Sequence, residues 1–328
     1  MANLRAGLIG LGMMGRHHAR VLDSLDGVEL VGVADPGGDP FGVARDRNVC
    51  IDVQELIKKR IDYCVVAVPT AYHEAIALEL ADAGVHALIE KPLAQSTESS
   101  DIVVRAFEEK GLVGGVGHIE RYNAALQQAR TRIEAGELGE IYQVATRRQG
   151  PFPGRISDVG VVKDLGTHDI DITAWVTRKE FSTISAQTGH RSGREHEDLV
   201  AIVGSLTSGT VTNHLVNWMS PLKERVTTIT GENGTFVADT LVSDLTFYPN
   251  GTTQTTWDDI SRFRGVTEGG MIRYAFDKPE PLRTEHEAFR EAVRGNESDI
   301  VTLRQGAAIV KVAEACLESA ENGTTVQL

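Results

Sequence analysis

The sequence has few cysteines, an excess of acidic over basic residues and no long apolar run. Its three cysteines, Cys50, Cys64 and Cys316, are odd in number and lack metal-ligand spacing, so we expect buried free thiols. The 33 Lys and Arg against 46 Asp and Glu give a formal net charge of −13. This charge argues against a nucleic-acid partner, because binding a polyanion needs clustered basic residues. No apolar run approaches the ~20 residues of a membrane span, so no membrane partner is expected.

A secretion signal is also missing from the pattern. The chain enters an apolar run almost at once, without a charged segment followed by an apolar stretch, so we expect no signal peptide. Together with the scarce cysteines, this predicts a cytoplasmic protein. The 328 residues, 41% hydrophobic and 24% charged, suggest a globular protein of two domains.

The most informative feature that is present is a glycine-rich turn near the start. An apolar run enters a turn that carries Gly10, Gly12 and Gly15, helix-forming sequence follows, and a second apolar run ends in Asp35. This order is the Rossmann fingerprint, in which the turn and the helix N-terminus hold a pyrophosphate. The cofactor contacts predicted in this turn are Gly10, Leu11, Gly12, Met13, Met14 and Gly15.

Asp35 indicates which dinucleotide binds. A carboxylate at this position accepts hydrogen bonds from the ribose hydroxyls of NAD and repels the extra phosphate of NADP. The residues that follow it, 36–38, contain no arginine, so NAD is predicted. NADP remains the alternative if Arg45 or Arg47 folds back toward the ribose.

The two halves of the chain have different patterns. Strand and helix patterns alternate up to about residue 120, which predicts a doubly wound parallel sheet. Beyond it, strand patterns follow one another between turns such as Asn233-Gly234, which predicts a large open, mostly antiparallel sheet. The fold class is therefore α/β. We expect residues 1–120 to form an NAD-binding Rossmann domain and residues 121–328 to form a second α/β domain for substrate binding. The last helices of the chain can pack on the first domain, although they follow the second domain in the sequence.

Among the strands predicted in the second half of the chain, the last spans residues 241–247. Capping patterns predict where several helices begin. The predicted caps are Asp52 with Glu55, Asn123, Thr284 with Glu287, and Thr302 with Gln305.

Polar groups follow the predicted strands of the first domain. Lys91 comes directly after a buried strand and before Pro92, which restricts the lysine backbone to extended conformations. At this strand end the lysine faces the crevice where the nicotinamide would lie; outside this context it would be an ordinary surface lysine. The cofactor contacts predicted at these strand ends are Pro69, Thr70, His73, Glu90 and Lys91.

The second domain offers a histidine between carboxylates. Asp164, His168 and Asp171 share one face of a predicted helix, while Asp169 points elsewhere. An imidazole beside carboxylates titrates near neutral pH and accepts a proton. Metal binding is the rival interpretation, but no second histidine is paired on this face, so no metal is expected.

These motifs together resemble the Gfo/Idh/MocA family (glucose–fructose oxidoreductase / inositol dehydrogenase) over essentially the whole chain. The resemblance implies a Rossmann domain followed by an α/β domain whose open sheet makes a homodimer or homotetramer. It also implies that Lys91, Asp164 and His168 are catalytic in the NAD-dependent oxidation of a sugar hydroxyl. His168, or Lys91 acting with it, accepts the hydroxyl proton, and Asp164 orients its partners; which of the two is the base stays open.

A narrower resemblance concerns the substrate. Residues 117–123 and 147–160 are similar to the UDP-N-acetylglucosamine 3-dehydrogenases of that family, which implies oxidation of a UDP-N-acetylhexosamine at C3. Arginines recognise phosphate bidentately, so Arg121, Arg147, Arg148 and Arg155 are candidates for the substrate pyrophosphate. At least one of the adjacent pair at 147 and 148 faces away from the site, because neighbours on a strand point to opposite sides. The predicted substrate contacts are His118, Arg121, Tyr122, Asn123, Arg155, Asp164, His168 and Asp171.

Two other functions remain open. A dehydrogenase of a free cyclitol or sugar, such as an inositol, needs hydroxyl partners and no phosphate clamp. An NAD-sensing regulatory protein without turnover is the third alternative, since the family includes a galactose-pathway transcriptional regulator. The presence of Lys91, Asp164 and His168 counts against a pure sensor, which has no need of them.

Overall fold

The computed structural model describes residues 2–154, 159–251 and 267–328. They form two compact units. The first comprises Met1–Ile119 with Glu280–Glu314, and the second comprises Glu120–Pro279 with Ala315–Leu328. The segment near the C-terminus therefore returns to the first unit.

The first unit is built on a six-stranded sheet whose strands are all parallel. The strands are β1 (Leu4–Ile9), β2 (Val28–Ala34), β3 (Val49–Cys50), β4 (Tyr63–Val66), β5 (His86–Glu90) and β6 (Gly114–Gly117). Their order is β3-β2-β1-β4-β5-β6, so the connection reverses direction between β1 and β4. In doubly wound sheets such a reversal places a ligand crevice at the carboxyl ends of the strands.

Helices cover both faces of this sheet. They include α1 (Met13–Leu22), α2 (Val53–Ile57), α3 (His73–Asp82) and α4 (Thr97–Glu109). Successive residues of β4 enter different cores: Tyr63 and Val65 pack with Leu22, whereas Cys64 and Val66 pack with Leu80. This alternation buries the strand on both sides, which explains its continuous apolar sequence.

The second unit is built on a large sheet that is antiparallel except where β7 pairs with β10. Its strands are β7 (Ile141–Pro151), β8 (Phe181–Gly189), β9 (Leu199–Leu206), β10 (Val211–Asn217), β11 (Met219–Gly231), β12 (Gly234–Asp239), β13 (Asp244–Gly251), β14 (Thr267–Glu268), β15 (Ile272–Arg273) and β16 (Val326–Gln327). The order is β14-β13-β12-β11-β7-β10-β9-β8-β16, and β15 pairs with β13. The predicted mostly antiparallel sheet is thus confirmed.

Helices cover one face of the large sheet. They are α5 (Ala124–Glu134) and α6 (Thr167–Thr177), which follows a π-helix at Val162–Gly166. Leu126, Ile172 and Trp175 form a core with sheet residues such as Val144 and Phe236. On the other face of the sheet, Val203 of β9 and Val211 and Leu215 of β10 are exposed, so this face is open.

Two helices close the chain, α7 (Pro281–Val293) and α8 (Leu303–Asn322). The cap predicted for α8 is confirmed: Gln305 N donates to Thr302 Oγ1 at 3.2 Å, and Thr302 N donates to Gln305 Oε1 at 3.1 Å. The cap predicted at Thr284 is wrong. The helix already begins at Pro281, since proline at the first position needs no N–H partner and has a helical φ. Within the described ranges, no helix is long and apolar enough to cross a membrane.

Candidate active site

The glycine-rich turn has the shape that a dinucleotide requires. Gly10 has φ +91°, and a Cβ there would lie 2.3 Å from the Ala67 oxygen. At Gly15 a Cβ would lie 1.9 Å from the Gly10 oxygen, whereas a Cβ at Gly12 would meet no atom within 4 Å beyond its chain neighbours and the local helix backbone. Two glycines are therefore required by the packing of the turn itself. The third leaves open space at the N-terminus of α1, where a pyrophosphate approaches the backbone.

Asp35 stands beside this turn at the end of β2. Its carboxylate accepts the N–H of Leu11 at 2.8 Å and the N–H of Gly37 at 2.7 Å. These bonds fix the carboxylate and leave each oxygen a further lone pair for the ribose hydroxyls of NAD. The turn and this acid thus fit the predicted cofactor.

The two arginines on which an NADP site would depend are held elsewhere. Arg45 forms an ion pair with Asp23 at 3.0 Å, and Arg47 pairs with the same carboxylate. Arg47 also donates its Nε–H to the Leu30 oxygen at 2.7 Å. Neither guanidinium is directed to the ribose site, which supports the preference of Asp35 for NAD.

His73 ties two strand-end loops together. Its Nδ1 lies 2.9 Å from the Pro92 oxygen and its Nε2 lies 3.0 Å from the Val68 oxygen. Burial lowers the pKa of this histidine, although both carbonyl contacts oppose that shift. Because both ring nitrogens face main-chain oxygens, His73 acts at this edge by fixing the loops after β4 and β5.

Lys91 follows β5 directly and is joined to Pro92 by a cis peptide bond. Its N–H donates to Glu90 Oε2 at 3.1 Å, and the other carboxylate oxygen lies 2.9 Å from Nε2 of His18. Burial works to raise the pKa of Glu90, but the bond from His18 and the charge of Lys91 outweigh it and keep the pKa below its usual value. Glu90 is therefore a buried carboxylate that holds the main chain of Lys91.

In the second unit, Asp164 and His168 lie at the junction of the π-helix and α6, and both are buried. The sequence predicted an α-helix from residue 165, and the π-helix adds a wider turn in front of it. Glu197 holds this turn: its carboxylate accepts the N–H of Val162 at 3.0 Å, and a Cβ at Gly160 would lie 2.0 Å from it. π-helical turns occur frequently at functional sites because they redirect side chains within a helix.

Two predicted substrate contacts form a buried ion pair with each other. The Nε–H of Arg121 lies 3.0 and 2.9 Å from the two carboxylate oxygens of Asp171. With its charge balanced inside the unit, Arg121 holds the 3₁₀ turn Ile119–Tyr122 against α6.

A second buried ionic cluster joins two arginines to two carboxylates. Arg148 pairs with Asp169 at 3.0 Å and with Glu120 at 3.0 Å, and Arg225 pairs with Glu120 at 3.2 Å. Burial works to raise the pKa of Glu120, but Arg148 and Arg225 outweigh it and lower the pKa. Asp169, which the helix geometry predicted to point away from the face of His168, is held by Arg148 in this cluster. These two ion pairs occupy the guanidinium of Arg148, as the pair with Asp171 occupies that of Arg121.

The other predicted substrate residues have varied surroundings. His118 is buried at the end of β6, and Tyr122 is buried in the 3₁₀ turn. The Asn123 side chain accepts the Ala125 N–H at 3.0 Å, as the predicted cap of α5, and donates to the Thr240 oxygen at 3.0 Å. Arg155 lies outside the described residues. Among the described residues, no group of three or more His, Cys, Asp or Glu side chains is placed to hold a metal ion.

Comparison with known proteins identifies the family. The model of an oxidoreductase family with an NAD-binding Rossmann fold matches residues 4–118, and the model of its C-terminal α/β domain matches residues 130–328. The chain belongs to the Gfo/Idh/MocA oxidoreductase family. It is accordingly an NAD-dependent oxidoreductase of a family of sugar and cyclitol dehydrogenases.

Two relatives represent different substrates within this family. The UDP-N-acetylglucosamine 3-dehydrogenase of Acidithiobacillus ferrooxidans is 32% identical over 215 residues, which are 65% of this chain and 66% of that protein. A crystal structure of that enzyme has a TM-score of 0.83 and 26% identity, covering 98% of this chain and 99% of its own. The scyllo-inositol 2-dehydrogenase (NAD(+)) of Bacillus subtilis is 28% identical over 350 aligned positions, which cover 99% of this chain and 96% of that protein.

Two residues of this family member were not found from the sequence. His18 contacts Glu90, and its other ring nitrogen lies 2.9 Å from His286, which is 268 positions away. His18 stands on the helix of the glycine-rich turn, but nothing in the local pattern distinguishes it from His17. A contact between such distant positions has no signal in a single sequence.

Proposed function

We propose that this dehydrogenase oxidises a secondary hydroxyl of a sugar and that Lys91, Asp164 and His168 are its catalytic residues. The observation that carries the proposal is the buried Asp164 and His168 pair on one helical turn of the second unit. Two ionisable groups are seldom buried together without a functional or structural partner. Glu197 and the close packing at Gly160 hold the backbone that presents them.

Each residue has a separate task in the proposed reaction. NAD supplies the hydride acceptor when it is bound. His168, or Lys91 acting with it, accepts the hydroxyl proton, and the Lys91 ammonium stabilises the developing alkoxide. Asp164 orients these groups. Lys91→Met should therefore abolish turnover and leave NAD affinity nearly unchanged; unchanged turnover would remove the lysine from the mechanism.

Our first candidate substrate is a UDP-N-acetylhexosamine oxidised at C3. The relative with 32% identity and the similar crystal structure support this choice. The arginines proposed for the pyrophosphate support it less, because Arg121 and Arg148 are occupied in buried ion pairs. Arg147 is exposed on the open sheet face beside Glu224.

Arg194 is an additional candidate for the pyrophosphate. Its guanidinium lies over the rings of Phe152 and Trp218, 4.3 and 5.0 Å from their centroids, near the ends of β7 and β10. A guanidinium stacked on aromatic rings keeps its N–H donors in its own plane, where they can meet phosphate oxygens. We therefore add this arginine to Arg155 in the proposed clamp.

A free cyclitol or sugar is the second candidate substrate. The occupied state of Arg121 and Arg148 favours it, because a polyol needs no phosphate donors. The inositol dehydrogenase relative, aligned over 99% of this chain, also supports it.

NADH formation with purified protein tests these candidates. UDP-N-acetylglucosamine is compared with myo-inositol, scyllo-inositol and free hexoses, with His168→Ala as the inactive control. For the nucleotide sugar we expect Arg194→Ala to raise KM about tenfold or more, by loss of one charged hydrogen bond. The exposed Arg304→Ala should have no effect. Turnover with a polyol alone would overturn the nucleotide-sugar proposal, and NADH binding without any turnover would favour the regulatory alternative.

We further propose that the open face of the large sheet joins subunits into a dimer or tetramer. Val203, Val211 and Leu215 are 55%, 46% and 43% exposed on adjacent strands. Val203 lies opposite Asn213 and diagonal to both apolar residues of β10, and exposed apolar side chains grouped in this way support an interaction surface. All three cysteines are buried free thiols, as predicted, and this supports the cytoplasmic location that we propose.

A further inference from the structure

Two histidines from distant parts of the chain lie behind Glu90 in the first unit. His18 is on α1 and His286 is on α7, and both side chains are buried. Nδ1 of His18 lies 2.9 Å from Nε2 of His286, and Nε2 of His18 lies 2.9 Å from Glu90 Oε1. We propose that His286 and His18 form a directed hydrogen-bond chain that positions Glu90, and through it the main chain of Lys91.

The Glu90 carboxylate at one end and the unpartnered Nδ1 of His286 at the other end set the direction of the chain. An ionised carboxylate only accepts hydrogen bonds, so Nε2 of His18 carries a proton and donates it to Glu90. In a neutral His18, Nδ1 is then an acceptor, and Nε2 of His286 must be the donor. Nδ1 of His286 is left without a proton.

The surroundings of His286 agree with this assignment. Its Nδ1 is buried and has no hydrogen-bond partner among the described residues. A buried lone pair without a partner is tolerated more readily than a buried N–H, since an orphaned donor is rarer in proteins. Burial lowers the pKa of His286 well below its ordinary value and keeps the ring neutral. A protonated His18 would require the opposite arrangement, with an orphaned N–H on His286.

Glu90 transmits this order to Lys91. Its second oxygen accepts the Lys91 N–H at 3.1 Å. On the β6 side, a Cβ at Gly117 would lie 3.2 Å from the Glu90 carboxyl carbon, so the carboxylate is packed closely there. The chain therefore connects α7, the helix of the glycine-rich turn and the residue after β5 by hydrogen bonds alone.

The inference rests on the proposed catalytic role of Lys91. If that lysine acts on the substrate, its position relative to the dinucleotide turn decides the rate, because small misplacements of reacting groups are costly. His18 and His286 touch neither substrate nor cofactor in this proposal and are positioning residues. Their loss should lower kcat and leave NADH affinity nearly unchanged.

Three variants of α1 test the chain kinetically in the full-length enzyme. His18→Leu removes both contacts, and we expect kcat to fall about 10- to 100-fold. His18→Gln places an amide N–H near the position of Nε2, so it should retain a bond to Glu90 and restore most of kcat. His17→Leu is the matched control, since His17 is the half-exposed neighbour of His18. NADH binding by fluorescence and thermal melting show which variants remain folded.

Nitrogen-15 NMR of the histidine rings in the wild-type protein provides a readout independent of turnover. We expect both His18 and His286 to be neutral Nε2–H tautomers. An imidazolium at His18, or an Nδ1–H tautomer at either residue, would overturn the chain. Equal losses of kcat in the leucine and glutamine variants of His18 would overturn its link to Lys91. Full turnover in Lys91→Met would instead reject the proposed function, and the NMR result would then stand alone.

Discussion

Removing one member of the buried pair between Arg121 and Asp171 should destabilise the protein strongly. The two side chains are 5% and 1% exposed, and both carboxylate oxygens contact the guanidinium. A buried pair that loses one partner leaves an uncompensated charge, which costs about 3–5 kcal/mol. We expect Arg121→Met and Asp171→Leu each to lower the free energy of unfolding by about 3–5 kcal/mol.

Urea unfolding followed by circular dichroism measures this effect. The double variant, Arg121→Met with Asp171→Leu, should recover most of the loss, because apolar replacement of both ions is often neutral or stabilising. Arg304→Met is the matched control: its pair with Glu108 is exposed, so the expected cost is below about 1 kcal/mol.

The sequence predicted both members of this pair as substrate contacts, and kinetics distinguishes the two roles. If the single variants unfold like the wild type while KM for the sugar rises, the pair serves the substrate, and the argument from burial is refuted. If the double variant is as unstable as the single ones, the charges are not each other's main partners, and the same argument fails.

Three further predictions concern other parts of the molecule. Gly15→Ala should lower the melting temperature, because its Cβ would meet the Gly10 oxygen, whereas Gly12→Ala should keep the melting temperature and weaken NAD binding, measured by calorimetry. Leu215→Glu combined with Val203→Glu should reduce the oligomer to monomers in light scattering; an unchanged mass would place the interface elsewhere. Burial lowers the pKa of His214 in the folded protein to about 4, compared with 6.5 in the unfolded chain. The folded protein therefore has its full stability above pH 6.5 and loses stability as the pH falls from 6.5 to 4. His214→Gln should remove about 3 kcal/mol of this acid sensitivity, and identical pH–stability curves would contradict it.

Local signals in the sequence predicted much of the fold. The caps at Asp52 and Thr302 were predicted from spacing alone, and both form the expected bonds from side chain to main chain. Such bonds join residues three positions apart, so the pattern contains all their information. Thr284 has the same spacing, but Pro281 begins that helix earlier, and its preference for the first position overrides the cap.

The large sheet was predicted less completely. The strand placed at residues 241–247 begins at Asp244 instead, and β12 (Gly234–Asp239) was not predicted at all. This strand starts at the glycine of a tight turn and contributes only Phe236 and Ala238 to the core, so its apolar pattern is short. Its existence depends on pairing with β11 and β13, which a window of local sequence does not contain.

The same distinction applies to the candidate site. The glycine-rich turn, Asp35 and the carboxylates of α6 follow from motifs that local spacing reveals, and the catalytic roles of Lys91, Asp164 and His168 stay predictions. The partners that hold these residues come from far along the chain. His286 lies 268 positions from His18, and Asp171 lies 50 positions from Arg121.

These distant partners exist because α6 has unusually polar buried surroundings. The helix is buried around most of its circumference, although it carries His168, Asp169 and Asp171. An isolated carboxylate is very costly to bury, so each acid that does not face substrate needs its own cation. Arg148 supplies the cation for Asp169 and Arg121 supplies the cation for Asp171. Asp169 and Asp171 are thus assigned to structure by their buried arginine pairs, whereas Asp164 and His168 keep the catalytic roles that we propose for them.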